Sequence, residues 1–266
     1  MSPSTNLQIA LVQTDLNWKD RVANLAMLEE KMWQIQGPVD LILLPEMFPT
    51  GFTMDVKEVA EPMNLHVTKW MQQMANQTQA VIAGSVIIQD SGDYFNRLLC
   101  VYPSGKIDFY DKRHLFRMAD EDQFFSAGDR IPIFELNGWK ICPQICYDLR
   151  FPVWSRNKVM PDGQLAYDLI FYVASWPAAR ASAWDALLPA RAIENLAYSI
   201  GVNRLGIDGN GVSYNGHSAA YDFKGDCLLN LSEEESIQIV SLDFEKLKQY
   251  REKFPAWRDG DSFQLE

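Results

Sequence analysis

Apolar runs and helically spaced stretches alternate along the chain from end to end. Residues 8–13 and 39–44 are short apolar runs that predict buried strands. Between them Val22, Leu25, Leu28, Met32 and Ile35 recur at steps of three and four. That spacing predicts a helix over residues 18–36, with Asn17 as its N-cap. A second helix is predicted over 65–79. Residues 80–89, 94–102 and 107–110 then read as three successive strands. The turns between them are Asp90-Ser-Gly-Asp93 and Pro103-Ser-Gly-Lys106, which suit hairpins. Residues 131–136 and 139–146 flank Asn137-Gly138, a strong short hairpin signal.

The second half continues in the same style. Residues 166–174 predict a buried strand and 184–198 a helix. Residues 199–203, 217–223, 227–231 and 237–243 predict strands, with Lys224-Gly-Asp226 as a turn. A short helix is expected over 244–253. No Pro/Ser/Gly-rich linker, low-complexity segment or fixed-period repeat interrupts the pattern. We expect one domain over residues 1–255, followed by a C-terminal tail over 256–266. Ten or more strands in one open sheet tend to split into two packed sheets. The expected fold is α/β, a four-layer α-β-β-α sandwich of two mixed sheets flanked by helices.

Composition narrows the function classes. The chain has 266 residues, 47% apolar and 22% charged, an ordinary globular balance. Its 24 Lys+Arg against 35 Asp+Glu give a formal charge of −11. That acidity argues against nucleic-acid and anionic-membrane partners. No apolar run reaches the ~20 residues that span a bilayer. The N-terminal stretch MSPSTNLQIALVQTD lacks a basic, apolar leader, so the expected address is the reducing cytoplasm. Four cysteines are too sparse for a disulfide scaffold and three histidines too few for a rich metal cluster. No metal or other cofactor is expected.

Three reactive side chains fall at predicted strand ends. Glu46 follows Val-Asp-Leu-Ile-Leu-Leu-Pro45, and Pro45 cannot donate to a ladder, so the strand stops there. In α/β sheets, ligands gather at the carboxyl ends of strands. Alone, Glu46 reads better as a solvated loop carboxylate. Lys112 follows Ile107-Asp-Phe-Tyr110 in a short charged run, and a lone lysine there carries no message. Cys146 ends Trp139-Lys-Ile-Cys-Pro-Gln-Ile, and a short helix is expected after it. A thiol on such a turn is expected to be exposed at the sheet top, near helical amides that favour the thiolate. The competing reading is a small buried hydrophobe. Cys142 and Cys146 share a strand face at C-x3-C spacing, which supports neither a redox pair nor a zinc site. Taken together, Glu46, Lys112 and Cys146 supply a base, a cation and a nucleophile, the parts that acyl transfer requires. No G-x-S-x-G elbow, G-x-G-x-x-G loop or Walker loop competes. His217, in Gly216-His-Ser218, is read as structural, because the Glu-Lys-Cys grouping explains more residues.

Leu44-Pro-Glu46, Tyr110-Asp-Lys-Arg-His-Leu-Phe116 and Ile145-Cys-Tyr-Asp-Leu-Arg-Phe-Pro152 resemble the three signatures of the nitrilase superfamily of carbon–nitrogen hydrolases. Glu121, ahead of Phe124-Phe-Ser-Ala-Gly-Asp129, resembles the family's second glutamate. Arg191-Ala-Ile-Glu-Asn195 resembles its R-A-x-E-N helix. Gly216-His-Ser218 with Asp222 and Gly225 resembles its late hairpin. The resemblance runs in order along nearly the whole chain. Leu44-Pro-Glu-Met-Phe-Pro-Thr-Gly-Phe-Thr-Met54 and Val173-Ala-Ser-Trp-Pro177 are most similar to the omega-amidase branch. Two departures are visible. The stretch between Lys112 and Glu121 is short, and Ala127 stands where the family usually has proline.

The resemblance implies a cysteine-nucleophile hydrolase acting on a small-molecule amide and water, releasing ammonia through a thioester. In the omega-amidase branch the amides are those of small 2-oxo dicarboxylic acids, such as 2-oxoglutaramate and 2-oxosuccinamate. Glu46 is then the base, Lys112 and the Tyr147 amide meet the oxyanion, and Glu121 holds Lys112 or assists water. Arg150, Arg180 and Arg113 are candidates for a substrate carboxylate. Phe48, Phe52 and Trp176 are candidates for the pocket wall, with core packing as the competing reading. An N-carbamoyl amino acid or deaminated glutathione is the alternative substrate. A catalytically silent binding member of the family is the alternative class. The family also implies a homodimer, through residues 153–158 and 184–198, with 256–266 crossing to the partner.

Overall fold

The computed structural model describes residues 6–261 and Phe263. Of the expected tail, 262 and 264–266 lie outside the described residues, as do 1–5. The first half runs β1 (Asn6–Gln13), α1 (Arg21–Met32), β2 (Leu41–Leu43), α2 (Val56–Val59), α3 (His66–Thr78), β3 (Val81–Asp90), β4 (Asp93–Val101), β5 (Ile107–Asp111) and α4 (Glu121–Phe124). The second half runs β6 (Phe134–Leu136), β7 (Trp139–Ile145), β8 (Leu169–Ala174), α5 (Ala181–Asn195), β9 (Tyr198–Asn203), β10 (Leu205–Ile207), β11 (Ser213–Asn215), β12 (Ala219–Tyr221), β13 (Cys227–Asn230), β14 (Ser236–Asp243) and α6 (Phe244–Lys253).

Two six-stranded sheets result, ordered β14-β1-β2-β3-β4-β5 and β13-β12-β9-β8-β7-β6. Both are mixed, and helices flank them, as the alternating pattern predicts. Their pairings follow the same sequence. From β14 to β5 the neighbours are antiparallel, parallel, parallel, antiparallel and antiparallel. From β6 to β13 the succession is identical. Alternation along β1 explains the layering. Leu7, Ile9 and Leu11 join the core shared by both sheets. Ala10 and Val12 face outward into a second core with Leu28 of α1 and Met71 and Met74 of α3. On the other side α5 covers the second sheet with Trp184, Leu188 and Ala192. Among the described residues no helix is long and apolar enough to cross a membrane.

Local chemistry moved several boundaries. Helix α1 starts later than its stripe suggests, because Asp20 is the N-cap, its side chain accepting from the Ala23 amide. Asn17 donates to Asn24 instead, and Val22 in the first turn is 75% exposed. Helix α5 begins before Trp184 and ends where Leu196 adopts a left-handed conformation, φ 47°. The Asn137-Gly138 turn forms with both residues at positive φ, 51° and 85°, which is type I′ geometry. The β10–β11 hairpin escapes the sequence pattern altogether. Its segment is rich in Gly, Asp and Asn and reads as a loop.

Gly201 on β9 shows how closely α5 packs. A Cβ there would stand 2.4 Å from the Trp184 ring and 2.6 Å from Leu188. Gly201→Ala is therefore expected to destabilise the fold by about 1–3 kcal/mol. A lowered urea midpoint with an unchanged slope would show it; an unchanged midpoint would contradict the packing argument.

Candidate active site

Pro45 ends the ladder two residues after β2, and Glu46 follows at the carboxyl end of that strand. The segment is held down by the Leu44 amide donating to the Ala83 carbonyl (2.8 Å) and the Met47 amide to Ser85 Oγ (2.8 Å). Lys112 follows β5 and is fixed on both sides of its own peptide units. Its amide donates to the Asn96 carbonyl (3.0 Å), and its carbonyl accepts from the Gly128 amide (2.9 Å). Gly128 fits because a Cβ there would lie 2.1 Å from the Asp111 carbonyl oxygen. Cys146 follows β7 with φ 43°, a left-handed conformation that costs a non-glycine residue strain.

A one-turn 3₁₀ helix, Cys146–Arg150, carries the thiol. Buried Asp148 anchors it. Its Oδ2 accepts from the Ile145 amide (3.0 Å) and the Tyr110 hydroxyl (2.8 Å). Its Oδ1 accepts from the His114 amide (3.0 Å) and meets His114 Nδ1 (2.8 Å). From the opposite side, Arg191 of α5 donates twice to the Leu149 carbonyl, at 3.1 and 2.6 Å. The Arg191-Ala-Ile-Glu-Asn195 segment thus braces the turn that carries Cys146.

Lys112 Nζ donates to Glu46 Oε1 (2.9 Å) and to both Glu121 oxygens (3.0 and 2.9 Å). All three residues are at most 1% exposed. Glu121 Oε2 also accepts from the Phe116 amide (2.6 Å). Burial opposes the Lys112 charge, yet Glu121, Glu46 and the nearby Cys146 hold the proton on its amine more firmly than usual. Burial pushes the Glu121 carboxyl up; Lys112 pulls it down and Glu46 adds to the rise. Burial also pushes the Cys146 thiol well above its ordinary range, Glu46 raises it further, and Lys112 opposes the shift. This corrects the expectation of an exposed thiol favoured as thiolate. Cys146 is only 8% exposed. Five residues of 3₁₀ turn do not outweigh burial beside a carboxylate.

The thiol opens into a cavity of about 370 Å³, at the small end for ligand sites. Phe52, Tyr147, Trp176, Arg150 and Arg180 line it, as does the 116–120 stretch before Glu121. The Arg150 guanidinium lies over the Trp176 ring at 4.9 Å, and that of Arg180 lies 5.5 Å from the Phe116 ring. Both arginines are half-buried, and among the described residues neither has a carboxylate within ion-pair distance. Phe48 does not wall the cavity; it is fully buried against Trp70, rings 5.9 Å apart. Arg113 is also outside it, donating to the Gly128 carbonyl beside Trp154. His217 faces Asp185 (3.0 Å), away from the cavity lining.

Several residues at the site are not among those the sequence singles out for chemistry. Asn96, inside β4, donates to both Glu46 and Glu121. The Ser175 amide donates to Glu46 Oε2 (2.8 Å), and Asn203 fixes the next residue by accepting from the Trp176 amide (2.7 Å). Asp208 and Tyr214 of the β10–β11 hairpin form another wall, joined by a 2.9 Å hydrogen bond. The available signal for Asn96 was the Asn96-Arg97 pair between apolar residues of a predicted strand, and for Ser175 its place at the end of a buried strand within Val173-Ala-Ser-Trp-Pro177.

This geometry has relatives. The family model described as "Carbon-nitrogen hydrolase" matches residues 8–252. The chain is 47% identical to omega-amidase YafV of Escherichia coli, over 97% of this chain and 98% of that protein. It is 30% identical to the 2-oxoglutaramate amidase of Bacillus subtilis, over 94% of this chain and 96% of that one. The crystal structure of XC1258 from Xanthomonas campestris, described as a CN-hydrolase superfamily protein with an arsenic adduct in its active site, superposes with a TM-score of 0.96. It is 42% identical and covers 99% of this chain and 100% of its own. The chain belongs to the carbon–nitrogen hydrolase family, within the nitrilase superfamily.

Proposed function

We propose that this chain hydrolyses the omega-amides of small 2-oxo dicarboxylic acids, using Cys146 as nucleophile. The observation that carries the reading is the buried Glu46–Lys112–Glu121 cluster beside a thiol, in a small cavity that also presents two arginines with no carboxylate partner among the described residues. Similarity to proteins named omega-amidase and 2-oxoglutaramate amidase supports the substrate class.

In this mechanism Glu46 accepts the thiol proton as Cys146 Sγ attacks the amide carbon. A thiol held protonated at rest needs such a base, because its free thiolate fraction is small. The tetrahedral oxyanion meets the Lys112 ammonium and the Tyr147 amide. Glu46 then returns the proton to departing ammonia, leaving a thioester. Water, activated by the same carboxylate, releases the acid and restores the thiol. Glu121 keeps Lys112 charged and in place. Arg150 and Arg180 bind the carboxylate at the far end of the substrate.

Cys146→Ala is expected to abolish ammonia release from 2-oxoglutaramate while leaving the circular dichroism spectrum intact. Ammonia release that survives would remove Cys146 from the nucleophile role. Activity on an N-carbamoyl amino acid or deaminated glutathione, with none on 2-oxoglutaramate, would overturn the substrate class. Arg180→Ala should raise KM for 2-oxoglutaramate by about 10- to 100-fold, the scale of one charge-assisted hydrogen bond. It should leave KM for an uncharged amide unchanged; an equal loss on both substrates would argue against carboxylate binding. Iodoacetamide labelling of Cys146 should accelerate steadily from pH 7 to pH 9, because the raised thiol ionises only above that range. A plateau below pH 8 would show a stable thiolate instead.

A further inference from the structure

Glu46 accepts three hydrogen bonds within the site. Its Oε1 accepts from Lys112 Nζ (2.9 Å) and Asn96 Nδ2 (2.8 Å), and its Oε2 accepts from the Ser175 amide (2.8 Å). A carboxylate offers about four lone-pair sites. Two donors fill Oε1 and one occupies Oε2, so the remaining site is on Oε2. Among the three, Asn96 is the neutral side-chain donor.

We propose that Asn96 is a positioning residue that takes up Oε1 of Glu46, so that Oε2 is the oxygen that receives the Cys146 proton. This rests on the reading of Glu46 as base and Cys146 as nucleophile. Three observations carry it. The Asn96 amide nitrogen reaches both carboxylates, Glu46 at 2.8 Å and Glu121 at 3.2 Å, with one N–H available for each. It therefore fixes their spacing around the Lys112 ammonium and offsets their mutual repulsion. The Asn96 carbonyl accepts from the Lys112 amide (3.0 Å), so one residue sets the position of all three charged groups. Finally, Asn96 is fully buried and its own Oδ1 has no hydrogen-bond partner. A buried acceptor left unmade is a cost that an apolar side chain of similar shape would avoid. Asparagine at this position serves its nitrogen at the expense of its oxygen.

The groups facing Glu46 are Lys112 after β5, Glu121 on α4, Cys146 after β7 and Tyr214 on β11. None of them supplies a neutral donor shared by both carboxylates. A carboxylate that loses a donor to its charged form takes up a proton more readily. Removing Asn96 Nδ2 thus moves the acid limb of the reaction to higher pH.

The test compares wild type with Asn96→Leu, which keeps the volume and deletes the donor. Ammonia release from the most active amide is followed against pH, and intact sites are counted by stoichiometric alkylation of Cys146. We expect kcat per intact site to fall about 10- to 100-fold with KM within about twofold, and the acid limb to rise by about one pH unit. An unmoved acid limb, with activity lost only in proportion to lost sites, would reduce Asn96 to packing and overturn the proposal. So would an unchanged kcat. If Asn96→Leu does not fold, Asn96→Ala carries the same readouts. Ammonia release that persists in Cys146→Ala would instead defeat the underlying mechanism, which separates the two failures.

Discussion

The structure is organised around one almost fully buried ammonium group at the base of the cavity. Lys112 is buried to 1% exposure, and a charge in that position persists only if opposite charges and hydrogen bonds replace its solvent. Glu46 and Glu121 do so, and their own burial then requires further donors. Asn96, the Ser175 amide and the Phe116 amide provide them. The demand passes outward from β5 to the exits of β2 and β8, the interior of β4 and the turn before α4. Each of these segments is constrained because a loosened member would leave a charge unpaired in a dry interior.

The two sheets deliver those segments to one place. Each repeats the same succession of antiparallel and parallel neighbours, so each has three adjacent parallel strands ending on the same side. β2 and β8 occupy equivalent central positions. Glu46 and Ser175 follow them and meet across the interface, backbone to side chain in both directions, at 2.8 and 3.3 Å. β7 brings Cys146 to the same rim. The site is therefore a property of the pair of sheets, which fits the rule that ligands collect at carboxyl ends.

Much of this was legible in the chain. Strand-ending signals such as Pro45, and the strand-to-turn transition at Cys146, put Glu46 and Cys146 at strand ends, as expected, because they are local. The paired sheets follow from the number of strands. The less legible parts depend on partners distant in sequence. Asn96 lies 50 residues from Glu46 and Ser175 lies 129 away, and neither has a local pattern that announces the contact. Asn17 looked like a helix cap because it precedes an apolar stripe, but Asp20 lies closer to the first turn and takes the role. The surroundings of the thiol differ from the expectation for the same reason. A turn amide is visible in sequence, whereas burial beside Glu46 is a tertiary fact.

The contrast between the buried cluster and the half-buried arginines has a consequence for ionic conditions. Mobile ions at physiological strength screen exposed charges beyond ~8 Å and reach dry pairs poorly. Arg150 and Arg180 lie where such ions enter, whereas Lys112 and its carboxylates do not. Anions in solution therefore compete for the two arginines and reach the buried cluster far less. The half-buried and the buried charges thus respond to salt as separate sets, although both face the same cavity of about 370 Å³.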